Sequence, residues 1–389
     1  MRRAMFLGFA LLSVAASRLL AGTPPAEAAF PGDNGILTFT RYAPGNLAGQ
    51  VATAPAEEDA EVTELTSTPG LNAVSAWSPD GTCVAFHSQR DGGDQELYVT
   101  GADGGEQTRL TVYPGYDYNP TFSPDGRQLA FVSNRDGEFE IFVFGLETGS
   151  MKQITKNTAI DFTPVWSPDG SKIAFTSARD GNYEVYVMNA DGTEQVRLTD
   201  SPGDDLYPDW SPDGMSIVFA TQRTGTLERD IWVMDADGGN AMPLLTRAGS
   251  DSEPAYSPDG TMVVFSGSGA SGLGHIFVVS SSDGSGLVQV TNLDSVDDRG
   301  PDWQSTGSEA GGGLCPTVTP AICGDANADA EIKASDALSI LRRAVGSSLV
   351  CPPLRCDTDS GGTVVASDAL RVLQFSVGQE VVLDCPLAV

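Results

Sequence analysis

Residues 165–175 read VWSPDGSKIAF, and the chain writes the core of that phrase four more times: AWSPDG at 76–81, FSPDG at 122–126, WSPDG at 210–214 and YSPDG at 256–260. The aromatic residues that lead it, Trp77, Phe122, Trp166, Trp210 and Tyr256, stand 44 to 46 residues apart. A fixed period of that length marks a repeat architecture assembled from one supersecondary unit.

One unit can be read across residues 161–199. A short strand ends at Ser-Pro-Asp-Gly, where Pro168 presets φ for the first central turn position, Asp169 suits the second and Gly170 accepts a left-handed backbone. KIAFTS (172–177) follows at once as a second strand. Arg179-Asp180-Gly181 makes the next turn, YEVYVMN (183–189) a third strand, Ala190-Asp191-Gly192 another turn and EQVRLT (194–199) a fourth strand. Four antiparallel strands per repeat describe a propeller blade, and helical solenoids are excluded because no segment here carries a 3.6 period.

Complete units begin near Val74, Tyr118, Phe162, Leu206 and Ser252. The sixth is split between the ends of the region. PGDNGILTFTR (31–41) matches a second strand, and 50–53 and 61–66 match a third and fourth. The missing innermost strand appears at Pro301-Asp302-Trp303-Gln304. The expected fold class is therefore mainly β: a six-bladed β-propeller over residues 30–304, closed by its C-terminal strand so that no sheet edge is left open.

The phrase P-x-W-S-P-D-G-x-x-I-A-F-x-S-x-R-D-G, followed by an I-Y-V strand and a Q-x-L-T strand, is similar to the WD40-like PD40 repeats of TolB-type six-bladed propellers. That resemblance implies a periplasmic scaffold that works by binding partner proteins.

Composition narrows the partners. The formal net charge is −30 over 389 residues. A surface of that sign repels nucleic acid and anionic membranes and is compatible with cations, basic protein patches or neutral glycans. The N-terminus reads as a secretory leader: Arg2-Arg3, an apolar run from Met5 to Ala16, and Ala26-Glu27-Ala28 as a cleavage site near residue 29. No stretch nears the roughly 20 apolar residues of a membrane span. The expected location is secreted or periplasmic. Cys83 stands apart from Cys315, Cys323, Cys351, Cys356 and Cys385, which crowd the last fifth of the chain as an exported disulfide framework would. Five is odd, so at least one of them stays free or pairs elsewhere.

Each repeat is joined to the next by an Asp-x-x-Pro step: Asp117/Pro120, Asp161/Pro164, Asp205/Pro208, Asp251/Pro254 and Asp298/Pro301, with Asn72 in the first complete blade. Antiparallel order puts these steps on one face with the loops carrying Arg90, Arg135, Arg179 and Arg223. The five aspartates are candidates for a ring at the channel mouth that holds a cation, a peptide or a glycan. Alternatively each caps its turn or pairs with an arginine. Nothing singles out catalysis. The two histidines, His87 and His275, fall on strands, no G-x-S-x-G occurs, and no pair of carboxylates stands out among the many.

Residues 305–322 are rich in Gly, Ser, Thr and Pro and read as a linker to a small module at 323–389. There DANADAEIKASDALSILRRAVG (325–346) and DTDSGGTVVASDALRVLQFSVG (357–378) each read as a loop followed by an amphipathic helix. The loops offer Ca²⁺ its oxygens at EF-hand spacing: Asp325, Asn327, Asp329, the carbonyl of Glu331 and Asp336, then Asp357, Asp359, the carbonyl of Thr363 and Asp368. The duplication resembles dockerin domains of type I. That resemblance implies docking to a cohesin-type partner through Ala334-Ser335 and Ala366-Ser367. Gly361, Ala330 and Lys333 depart from the loop pattern and weaken individual ligand positions. The sum is an exported, non-catalytic binding scaffold with a Ca²⁺-dependent docking module. The rival is a polysaccharide hydrolase or lyase tethered by the same module.

Overall fold

The computed structural model describes residues 32–306, apart from 44–47, 92, 113–114, 224, 226, 269–271 and 294, together with Cys315. The leader (1–29) and every residue assigned above to calcium or to cohesin docking lie outside the described residues.

Twenty-four strands form six four-stranded antiparallel sheets. Blade 1 contains β1 (Asp33–Tyr42), β2 (Gly49–Ala54) and β3 (Thr63–Glu64). Blade 2 is β4 (Asn72–Trp77), β5 (Cys83–Ser88), β6 (Glu96–Gly101) and β7 (Gln107–Arg109). Blade 3 is β8 (Asp117–Phe122), β9 (Gln128–Ser133), β10 (Glu140–Gly145) and β11 (Met151–Gln153). Blade 4 is β12 (Asp161–Trp166), β13 (Lys172–Ser177), β14 (Glu184–Asn189) and β15 (Val196–Arg197). Blade 5 is β16 (Asp205–Trp210), β17 (Ser216–Thr221), β18 (Asp230–Asp235) and β19 (Met242–Leu245). Blade 6 is β20 (Asp251–Tyr256), β21 (Met262–Ser268), β22 (Gly274–Ser280) and β23 (Val288–Gln289). The last strand, β24 (Asp297–Thr306), returns to blade 1 and pairs antiparallel with β1, Leu37 opposite Trp303. The ring closes by the expected device.

The repeated phrase is repeated because it is a turn that satisfies itself. In all five copies the Ser Oγ donates to the Asp Oδ1 at 2.6–2.7 Å: Ser78 to Asp80, Ser123 to Asp125, Ser167 to Asp169, Ser211 to Asp213 and Ser257 to Asp259. Each Ser Oγ also accepts the N–H five residues on, as Lys172 N gives to Ser167 at 2.9 Å. The glycines sit at φ between 66° and 73°, which a Cβ would strain.

Second strands such as Lys172–Ser177 show no polar alternation because both their faces are covered by neighbouring blades. Six clusters of buried side chains fill the gaps. Between blades 2 and 3, Ala85, Leu97 and Val99 meet Phe122, Phe131 and Phe144. Between blades 4 and 5, Ala174 and Val185 meet Trp210, Ile217 and Phe219. The fourth strands are shorter than EQVRLT promised. In blade 4 the ladder stops at Arg197 because the Thr199 hydroxyl, not a backbone carbonyl, accepts the Val185 N–H at 2.9 Å.

Cys83, buried at the start of β5, forms a disulfide with Cys315, 232 residues away. The odd cysteine of the C-terminal group is thus taken by the propeller. The bond lies on the face of the Ser-Pro-Asp-Gly turns, where Gln304 Nε2 also donates to Gly81 O at 2.7 Å. No helix among the described residues is long and apolar enough to cross a membrane.

Candidate functional site

The five aspartates of the Asp-x-x-Pro steps open the innermost strands, and all are buried. Each is held by an arginine of its own blade: Asp117 by Arg135 at 2.6 Å, Asp161 by Arg179 at 2.8 Å, Asp205 by Arg223 at 2.5 Å, Asp251 by Arg247 at 2.6 Å and Asp298 by Arg41 at 2.8 Å. In blade 2, Arg90 donates to Asn72 Oδ1 at 2.7 Å. The guanidinium groups in turn lie over aromatic rings. Arg179 is 5.4 and 4.8 Å from the Phe175 and Tyr186 centroids, and Arg247 is 4.3 Å from that of Phe277. Burial still pushes the Asp251 carboxyl up, to about 6, against the pull of Arg247. Of the two arrangements the sequence allows, pairing with arginine is the one present, and none of the five aspartates lines the axial cavity.

Arg41 and Arg247 were not foreseen. Arg41 comes from β1, and Arg247 from the loop four residues before Asp251; the sequence of blade 6 carries Gly269 where blades 2 to 5 carry the arginine.

The cavity itself, about 380 Å³, lies on the axis and is walled by all six innermost strands. Its wall begins one or two residues beyond each aspartate, or beyond Asn72 in blade 2, around a β-bulge. Register shifts break the pairing between residues 73 and 76, 118 and 121, 162 and 165, 206 and 209, and 252 and 255. The bulged residues have left-handed φ: Val74 (43°), Asn119 (52°), Thr163 (49°), Tyr207 (56°), Glu253 (54°) and Gly300 (60°). Such a bulge re-aims one side chain, and non-glycine residues hold that φ only where their surroundings impose it. Here the cost recurs around the axis, and it turns five unlike side chains and one glycine toward one space.

The wall is two-sided. On blades 3 to 5 it is aromatic. Phe162 meets Tyr183 edge-on at 5.1 Å and Tyr207 at 6.3 Å, and Tyr118 meets Phe139 at 5.4 Å. His87 lies against Tyr118, and burial lowers its pKa to about 3, so it stays neutral. On blades 5, 6 and 1 the wall is acidic, with Asp209, Glu253 and Asp302. Asp209 Oδ2 accepts the Tyr256 N–H of the next blade at 2.7 Å, and Asp302 Oδ2 accepts the Trp77 N–H at 2.8 Å. Burial raises both carboxyls, Asp209 to about 7 with added repulsion from Asp302, and Asp302 to about 6. Glu253 Oε2 accepts from Ser266 Oγ at 2.5 Å and from Gly300 N at 2.9 Å.

Sequence reasoning missed every one of these wall residues as a site. For Tyr118, Phe162, Tyr207 and Glu253 the signal was present in the two residues between Asp and Pro, which differ from repeat to repeat while the Asp and Pro do not. Among the described residues no group of three or more His, Cys, Asp or Glu side chains is placed to hold a metal ion.

Comparison with known proteins supports the fold at this point. The family described as the TolB beta propeller domain matches residues 199–310. Among solved structures, TolB from Acinetobacter baumannii superposes with a TM-score of 0.61 at 24% identity, covering 71% of this chain and 68% of that one. Hydrazine synthase of Kuenenia stuttgartiensis gives 0.61 at 15% identity, covering 72% of this chain and 49% of that one. A chain of a nidogen/laminin complex gives 0.58 at 11% identity, covering 70% of this chain and 99% of that one. No curated protein matches the sequence. The described region is a TolB-like six-bladed propeller in its architecture, and at these identities the likeness speaks to the fold alone.

Proposed function

We propose that this protein is an exported, non-catalytic scaffold whose propeller holds a segment of a partner protein in the axial cavity. The observation that carries this reading is the cavity wall. Six equivalent bulges present six different residues, next to a framework that is nearly the same in every blade. Aromatic faces beside polar groups in an open concavity are suited to an extended peptide segment or a glycan. The protein ligand is favoured because the resemblance of the repeats to those of TolB-type propellers implies a scaffold that binds partner proteins.

On this reading the leader delivers the chain to the periplasm or beyond. The loop–helix pair at 323–389 docks it, with Ca²⁺, to a cohesin-type domain through Ala334-Ser335 and Ala366-Ser367. Asp325, Asn327, Asp329, Asp336, Asp357, Asp359 and Asp368 supply the hard oxygens that ion requires.

The test is retention of a partner from the native envelope or culture fluid on the full-length protein. Phe162→Ala with Tyr207→Ala should abolish capture at the cavity, and EGTA should abolish only the docking of the C-terminal module. Capture that both treatments leave intact would remove the reading.

The polysaccharide hydrolase or lyase remains a second reading on one observation: two cavity carboxyls, Asp209 and Asp302, hold protons at higher pH than usual. Turnover of a polysaccharide panel, lost in Asp209→Asn, would decide for it.

A further inference from the structure

The propeller frame displays its own recognition chemistry six times. At the start of each innermost strand a guanidinium is held by a carboxylate, or in blade 2 by the Asn72 amide oxygen, and lies over aromatic rings. Arg135 shows it fully, 2.6 Å from Asp117 and 5.5 and 5.0 Å from the Phe131 and Phe142 centroids. One or more positions further along the same strands, the cavity collects the same acceptors without the cation. Its seventeen lining residues include three carboxylates, Asp209, Glu253 and Asp302, and three aromatic rings, Tyr118, Phe162 and Tyr207, but no Lys, Arg or His.

Resting on the reading of the cavity as a ligand site, we infer that what enters it is a basic side chain, the guanidinium or ammonium of an Arg or Lys in the partner segment, seated between the aromatic wall and the Asp209/Asp302 pair.

Three observations favour an organic cation. First, none of the three carboxylates forms an ion pair among the described residues, although the frame pairs each of the five aspartates that open its innermost strands. Second, neither basic group near the rim lines the cavity: Arg299 is held by Asp297 at 2.8 Å, and Arg229 lies near Tyr207 outside the wall. Third, no carboxylate cluster of metal-binding size exists there, whereas an aromatic face is a good partner for a guanidinium or alkylammonium and a poor one for a hydrated metal ion.

The electrostatics agree. Asp209 faces Asp302 from β24 and lies near Tyr256 of β20, whose hydroxyl burial and Asp209 keep protonated. Glu253, Arg229 and Arg299 surround the mouth. Groups raised to about 7 and about 6 are partly protonated near neutrality, so an incoming cation expels protons and binds more tightly as pH rises.

The experiment is titration of the full-length protein with the probe acetyl-Pro-Arg-Pro-amide and its neutral isostere acetyl-Pro-citrulline-Pro-amide, followed by calorimetry. The arginine probe should bind at least tenfold more tightly at pH 7.5. That preference should shrink toward pH 5.5 and vanish in Asp209→Asn/Asp302→Asn. The double substitution alters two charges of a net −30, so loss of the preference reports the cavity and not the surface. Equal binding of both probes, both weakened by Phe162→Ala, would overturn the cation and leave the cavity standing. Binding unchanged by either variant would overturn the cavity itself. No measurable binding of the arginine probe to the folded protein would also overturn the inference.

Discussion

The frame of the propeller and the wall of its cavity are built from the same six strands, yet they obey opposite rules. In the frame, each aspartate that opens an innermost strand is answered by an arginine. Asp161 meets Arg179, Arg179 meets Phe175 and Tyr186, and Ser167 meets Asp169, with near-identical distances from blade to blade. In the wall, Asp209 and Asp302 face the same cavity with no arginine between them, and the bulged residues run Val, Asn, Thr, Tyr, Glu, Gly around the ring. Six copies within one chain serve as their own control. What every copy keeps is needed to stack blades, and what differs at equivalent positions is free to meet something else.

The comparison breaks first if the frame can be damaged cheaply. Arg179→Ala leaves Asp161, with no exposed surface, as an uncompensated buried charge, and should cost about 3–5 kcal/mol in urea unfolding. Asp161→Asn should cost far less, because blade 2 already runs on Asn72 and Arg90. Binding at the cavity should be unchanged in every variant that still folds. The next largest effect belongs to the covalent strap. Cys83→Ala/Cys315→Ala opens a loop of 232 residues that runs from the second strand of blade 2 through blade 6, and should lower stability by about 2–4 kcal/mol, read as a fall in Tm against the oxidised parent. Both substitutions are made together so that no unpaired thiol confuses the result.

How much of this was legible follows from the same division. The blades were readable because the Ser-Pro-Asp-Gly turn is local: four adjacent residues satisfy one another, and the phrase announces itself five times. The closing strand was readable because Pro301-Asp302-Trp303 repeats the start of the phrase. Partners that stand outside the repeat pattern were not. Arg247 replaces a missing arginine from a different loop, and Cys83 finds a partner 232 residues away. The channel-mouth aspartates were found as residues, but their burial and pairing depend on which way a strand faces, and the bulge decides that. Asp209 and Asp302 are invisible for the reverse reason: they occur in two copies only, so no repeat draws attention to them.

The wall should answer to substitution in the other direction. Asp209 is raised from 3.8 to about 7 in the folded state, so folding takes up a proton. Its contribution to stability is therefore lost as pH climbs from about 4 through 7, whereas an Asn at that position loses nothing. Asp209→Asn should thus be indistinguishable from the parent below about pH 4. It should gain roughly 1–3 kcal/mol at pH 8, the figure being reduced for the amide N–H groups left unpaired. A flat difference across that range would mean that the carboxyl is already compensated, and the contrast with Asp161 would disappear.

The smallest effect is the sharpest. Gly300 is the one glycine among the six bulged positions, at φ 60°, and a Cβ there would meet nothing within 4 Å. Gly300→Ala therefore isolates the backbone cost of the bulge from any clash, and about 1 kcal/mol is expected in unfolding free energy. The other five blades hold real side chains at φ of 43–56°, so the frame is stiff enough to impose that geometry on residues that resist it. Val74, β-branched, resists most, and Val74→Gly should recover part of the same amount. If Gly300→Ala instead cost 3 kcal/mol or more, the alanine would be reshaping the strand. The frame would then not be holding the wall in place but depending on it.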